Sequence, residues 1–176
     1  RAALNRRLSC AALLAFPAIW IDIGCGQNGA LSLAILSAGF ALMPRRPILG
    51  GLVLGCMVIK PQLAVALPFV LGGAALARPR YWTTFIATGA GALILCGLSW
   101  LAFGAEGWRA FLANSVYARE TLHRGLVDPA LMQSLFAGLR VLGVPFTPAF
   151  AAQGLLALGV LGAAAYLSWR HRLDGA

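Results

Sequence analysis

The sequence predicts an all-α fold: a polytopic transmembrane helix bundle with one further helix lying at the outer membrane face. Three observations carry this. Apolar residues make up 60% of the 176 and charged residues only 11%, against about 45–50% and about 25% in a soluble domain. The apolar residues gather into runs of full or half membrane-spanning length. The arginines gather in alternate linkers between those runs. Together these exclude a cytosolic globule, a disordered chain and a nucleic-acid-binding domain. The net charge of +9 comes from arginines placed between apolar runs rather than along one stripe, so no nucleic-acid partner is expected.

A spanning helix needs about 20 apolar residues. Leu8–Ile23 is a short first run carrying Pro17, and Gly29–Met43 is a short second one. Ile48–Ile59 and Leu63–Ala77 form a pair of half-spans broken at Lys60-Pro61-Gln62. Trp82–Phe103 is uncharged over its whole length, and so is Phe146–Trp169. Gly51 and Gly55 form a GxxxG that lets two helix backbones approach. Gly89, Gly91 and Gly97 are expected to thin the Trp82–Phe103 helix in the same way.

The linkers sort by charge. Arg1, Arg6, Arg7, Arg45, Arg46, Arg78, Arg80, Arg170 and Arg172 share their side with one acid, Asp174. The alternate linkers hold Lys60, Arg109, Arg119, Arg124 and Arg140 against Asp22, Glu106, Glu120 and Asp128. The positive-inside rule puts the arginine pairs in the cytoplasm. Residues 24–28, 60–62 and 104–145 then lie on the outer side. In the last of these, Trp108, Phe111, Leu112 and Val116 share one face at helical spacing, the pattern of an interfacial amphipathic helix. Glu120 and Arg124 are four apart and can simply pair. Asp128-Pro129 reads as a turn, and 131–143 as a short helix. The chain opens on Arg1 rather than methionine, and without a charged n-region followed by a small-residue cleavage site no signal peptide is expected in it. The expectation is a single integral membrane domain over 1–176, an N-terminally truncated fragment.

Polar groups at membrane depth are costly and are functional hypotheses by default. Gln27 and Asn28 lie among glycines between two short helices, where their amides can meet hydroxyls or phosphate oxygens; an exposed polar turn is the plainer reading. Lys60, the one lysine in the chain, stands between two half-spans and would attract an anion; a snorkelling lysine is the plainer reading. Arg119, Glu120, His123, Arg124, Asp128, Gln133 and Ser134 form a third set. Free N–H groups at the helix opened by Gln133 and Ser134 could also bind an anion. Cys10, Cys25, Cys56 and Cys96 are widely spaced, and with only His123 and His171 no metal site is expected.

In order, Gly26-Gln27-Asn28-Gly29, Arg45-Arg46-Pro47, Gly55 with Ile59-Lys60-Pro61-Gln62-Leu63, the run from Phe103-Gly104-Ala105-Glu106-Gly107-Trp108 to Leu112, and Met132-Gln133-Ser134-Leu135-Phe136 resemble glycosyltransferase family 87. This is a set of bacterial membrane enzymes of the GT-C class. The resemblance runs from about Ala18 to Arg172. It implies a hexosyltransferase of the inner membrane. Such an enzyme takes a mannose-like sugar from a polyprenyl-phosphate carrier and passes it to a glycan or glycolipid acceptor at the outer, periplasmic face. Membrane lipid and the polyprenyl-phosphate sugar are the implied partners, and no cofactor beyond that donor is evident. On this reading Lys60, Gln62, Gln27 and Asn28 bind donor phosphate or sugar, and Arg119, Arg124, Gln133 and Ser134 contact substrate from the outer loop. The general base is expected upstream of Arg1, since the class carries it in the first outer loop. A secondary transporter or lipid-sugar flippase with a broken-helix site at Lys60 is the alternative.

Overall fold

A computed structural model describes residues 8, 12, 15–24, 26–129, 132 and 134–171, leaving aside the side chains at 18, 118 and 119. Every regular element among the described residues is helical. They are α1 (Pro17–Gly24), α2 (Gly29–Leu42), α3 (Pro47–Gly55), a 3₁₀ turn (Cys56–Ile59), α4 (Pro61–Ala64), α5 (Ala66–Ala77), α6 (Tyr81–His123), α7 (Leu135–Val141) and α8 (Phe146–His171). Two of these, α6 and α8, are long and apolar enough to cross a membrane; α2, α3 with its 3₁₀ turn, and α4 with α5 are shorter apolar stretches.

Proline sets several starts. Pro17 opens α1 rather than kinking a longer described helix, and Pro47 and Pro61 open α3 and α4. At such a position the missing N–H costs nothing and the fixed φ suits a helix. The two apolar stretches on either side of Lys60 are helical, and the join between them is tighter than a plain break. The chain narrows to a 3₁₀ turn, and Lys60 takes a non-helical conformation between that turn and α4.

The packing gives each helix a direction. A Cβ at Gly39 would meet Leu54 and the Gly50 carbonyl, and one at Gly50 would meet Met43, so α2 and α3 run antiparallel. Gly51 faces Thr84 and Ala87, and Gly55 faces Thr88, Gly91 and Ala92, so α3 and α6 run parallel and very close. Gly73 of α5 abuts the backbone of Ala165 in α8. The GxxxG therefore packs as expected. Of the three glycines expected to thin α6, only Gly91 is in contact, against Leu52; Gly89 and Gly97 have nothing within 4 Å. Leu54, Met57, Leu67, Leu71, Ala74, Ala75, Tyr81 and Met43 form the buried core. Around them Leu93, Leu101 and Leu155 are more than 70% exposed. An outer surface this apolar needs an apolar surrounding.

These directions bring the turns at 43–47 and 78–81 to one end of the bundle and Lys60 to the other. Ser99, level with the Lys60 turn, is 18 residues beyond Tyr81, about 27 Å at the α-helical rise. A hydrocarbon core is about 30 Å thick.

The α6 helix is broken inside by Gly104, whose φ of 63° and ψ of −174° lie outside helical space. The break falls where the sequence divides a span ending at Phe103 from an amphipathic helix. Beyond it, Trp108 is half-buried, 6.1 Å from the Trp100 ring and 6.4 Å from Phe111, centroid to centroid. Phe111, Leu112 and Val116 stay exposed. At the far end of α6, the His123 ring lies 4.6 Å from Phe146, which also meets Phe136 and Phe150. This aromatic cluster ties the returning loop to the start of α8.

Only glycine occupies the Gly104 conformation readily; other residues held in such regions cost about 1–3 kcal/mol. No neighbour lies within 4 Å of a Cβ built there, so the cost of Gly104→Ala is purely one of backbone. The expected result is a lower unfolding midpoint in detergent, by several degrees at about 2–4 °C per kcal/mol. An unchanged midpoint would mean that the break survives without glycine.

Candidate functional site

A cavity of about 530 Å³ opens beside the Lys60 turn. One wall is Val58, Ile59 and Pro61; another is Leu95, Cys96, Ser99 and Phe103 of α6. The third is Gly107, Trp108 and Phe111, from α6 beyond its break. The Gly104 break is thus what turns a straight helix into two walls of one cavity. The lining is almost wholly apolar and the volume lies within the range of small-molecule sites, about 300–1,000 Å³.

One unpartnered polar group lines it, and another belongs to the adjoining turn. Lys60 sits between lining residues Ile59 and Pro61 and is half-buried. Its backbone is fully used: its N–H donates to Met57 O at 2.8 Å, and its carbonyl accepts from Leu63 and Ala64. Its ammonium has no hydrogen-bond or ion-pair partner among the described residues. The indole Nε1 of Trp108 is buried and also has no partner. A buried donor left unmade costs about 1–3 kcal/mol. Cation and donor together favour an amphiphile with an anionic head.

Lys60 itself is not among the lining residues, and the other sequence-read residues also lie outside the lining. Gln27, Asn28 and Gln62 are exposed, on the bundle end that carries Lys60. The turn holding Gln27 is built by Asp22. Its carbonyl accepts from Gln27 N at 2.8 Å, and its Oδ2 accepts from Ala30 N at 3.2 Å. A carboxylate at the start of α2 is favoured by the helix dipole. Gly29 leaves the room for it, since a Cβ there would lie 2.6 Å from the carboxylate. The Asn28 carbonyl accepts from the Ser32 hydroxyl at 3.1 Å.

Beyond the Gly104 break, Arg124 Nε donates to Glu120 Oε1 at 2.8 Å, the pairing that the spacing allowed. Arg109 pairs with Glu106. The side chain of Arg119 and the whole of Gln133 lie outside the described residues, as do Cys10 and Cys25. The short helix read over 131–143 is described as Leu135–Val141. The Ser134 hydroxyl accepts from Ala137 N, and Gln153 Oε1 of α8 accepts from Phe136 N, each at 3.1 Å. The protein thereby takes two of the N–H groups at this helix start, rather than leaving them for an anion. Among the described residues no group of three or more His, Cys, Asp or Glu stands together as metal ligands do.

The sequence profile of glycosyltransferase family 87 matches residues 1–176. The chain belongs to glycosyltransferase family 87. No curated protein and no solved structure matches it. Trp108, Cys96 and Ser99 are cavity residues that sequence reading did not single out as such. Trp108 was legible as one member of an amphipathic face, but the fold of that face back onto α6 depends on the Gly104 conformation.

Proposed function

We propose that this family 87 glycosyltransferase is a polytopic enzyme of the bacterial inner membrane, a single GT-C-like domain with its arginine turns in the cytoplasm. It moves a mannose-like hexose from a polyprenyl-phosphate carrier to an acceptor hydroxyl on a glycan or glycolipid at the outer face. The segment 104–145 lies at that face with its amphipathic helix in the interface. The observation that carries this reading is the apolar cavity beside the Lys60 turn, lined by Trp108 with its indole N–H unpartnered, together with a Lys60 ammonium that pairs with no described residue.

In the reaction the acceptor oxygen forms a bond to the anomeric carbon and the bond from that carbon to the phosphate oxygen breaks. The electron pair stays on the polyprenyl phosphate, and the hydroxyl proton goes to a general base that no described residue is assigned to. Negative charge grows on the departing phosphate. Lys60 stabilises it, Trp108 donates to one of its oxygens, and the cavity holds the first part of the carrier chain. Gln62, Gln27 and Asn28 meet sugar hydroxyls or phosphate oxygens from the same end. Arg124 and Ser134, with Arg119 and Gln133, present the outer loop to substrate.

Trp108→Phe tests this site. It keeps an aromatic ring against Trp100 and removes the N–H together with the smaller ring of the indole. A hydrogen bond to a charged acceptor contributes about 1.5–3 kcal/mol. The kcat/KM for a polyprenyl-phosphate hexose should therefore fall about tenfold to a hundredfold. Purified enzyme in detergent, assayed for radiolabelled sugar transfer, reads this directly. Transfer from a nucleotide sugar alone would overturn the donor assignment. Uptake by proteoliposomes without a covalent product would favour a transporter.

A further inference from the structure

The arginine end of the bundle carries a second, smaller pocket of about 70 Å³, lined by Met43, Pro44, Pro47, Arg80, Tyr81 and Thr84. It joins two turns distant in sequence. Arg45 and Arg46 stand between the two lining prolines, and Arg80 lines it from the start of α6. The Arg80 guanidinium donates to the Tyr81 hydroxyl at 3.0 Å and lies 4.9 Å from that ring's centroid, which holds it at the mouth. Neither turn carries an Asp or Glu. Inside, Thr84 is fully buried and its hydroxyl has no hydrogen-bond partner. A neighbouring Thr88 hydroxyl in the same helix bonds back to the Thr84 carbonyl at 2.9 Å, the usual resort of a helical threonine. The Thr84 hydroxyl makes no such bond.

We propose that this notch binds the phosphate of an anionic phospholipid from the leaflet on the arginine side, with Arg80 and the Thr84 hydroxyl as its donors and Arg45 and Arg46 supplying charge. The inference rests on the membrane orientation proposed above but not on the glycosyl-transfer reading. The notch is too small for a lipid body and suits a few oxygens. Two proline-bounded turns and the apolar flank of α6 leave the acyl chains on the outer surface of the bundle. Basic pockets between helices on the cytoplasmic side are where anionic headgroups bind.

The test titrates the full chain, purified in detergent, with phosphatidylglycerol, with phosphatidylcholine and with inorganic phosphate, reading the unfolding midpoint. Phosphatidylglycerol should raise it; phosphatidylcholine and inorganic phosphate should not. Arg80→Gln should weaken the phosphatidylglycerol effect about fivefold in concentration, the loss of one cation beside an anionic headgroup. Thr84→Val should also weaken it while leaving the lipid-free midpoint equal or higher, because it removes a buried unpartnered hydroxyl. Equal titrations for wild type and both variants would overturn the site. An equal rise with inorganic phosphate would overturn the lipid as its source. A chain that stays monomeric without detergent would instead overturn the membrane orientation, a result separable from both.

Discussion

Lys60→Met should reduce sugar transfer about a hundredfold to a thousandfold while leaving the protein folded. The magnitude is that of removing one group that stabilises developing charge in a water-poor site. Folding should be spared because the ammonium holds nothing in place: no described residue pairs with it. What shapes the turn is the Lys60 backbone, with its N–H on Met57 and its carbonyl serving Leu63 and Ala64. Methionine keeps the length and apolar stem of lysine and can make the same bonds. The loss should fall mainly on kcat, because the phosphate bears more negative charge as a leaving group than as a diester. A rise in KM alone would make Lys60 a docking cation. Unchanged turnover of polyprenyl-phosphate hexose, with an unchanged unfolding midpoint, would remove the phosphate role altogether.

How much of this was legible beforehand follows from what each feature depends on. Helix content, the half-spans and the joint at Lys60 follow from local causes. Apolar run length, Pro61 and a lone cation are all visible in a short window of sequence. The charge asymmetry predicted that the turns at Arg45 and Arg80 share an end, and the directions of α2, α3, α5 and α6 put them together. The cavity was not legible. It needs the α3–α6 crossing, set by contacts between residues roughly 40 apart in sequence, and the angle at Gly104, a backbone conformation that a glycine permits but does not dictate. The same limit applies to the glycines. Gly89 and Gly91 look alike in sequence, yet only Gly91 faces α3. Which face of an apolar helix meets its neighbour is weakly written when lipid-facing and core-facing positions are equally apolar.

That crossing supports the second large prediction. Gly55→Ala should destabilise the protein and lower activity together, whereas Gly89→Ala should do neither. A Cβ at Gly55 would lie 2.5 Å from the Thr88 carbonyl oxygen and 2.7 Å from Ala92 N. Both are backbone atoms of α6, so no rotamer change can relieve the clash and the two helices must part. Overpacking of this kind costs about 1–3 kcal/mol, several degrees of unfolding midpoint. The parting also reaches the site. Val58, Ile59 and Lys60 follow Gly55 within five residues, and Leu95, Cys96 and Ser99 follow Ala92 within seven. The two helices that diverge at the clash are the ones that carry two of the cavity's walls. The Lys60 turn would then move away from the α6 wall of the cavity even though no residue of either is altered. Gly89, one turn away on the exposed side, has nothing within 4 Å. Alanine there should raise the midpoint slightly, since it lowers the entropy of the unfolded chain. Parallel measurement of midpoint and transfer rate in the two variants separates the gain in helix propensity, common to both, from the loss of close approach, specific to Gly55. If Gly55→Ala kept full stability and transfer, the α3–α6 contact would not be what holds Lys60 beside the cavity.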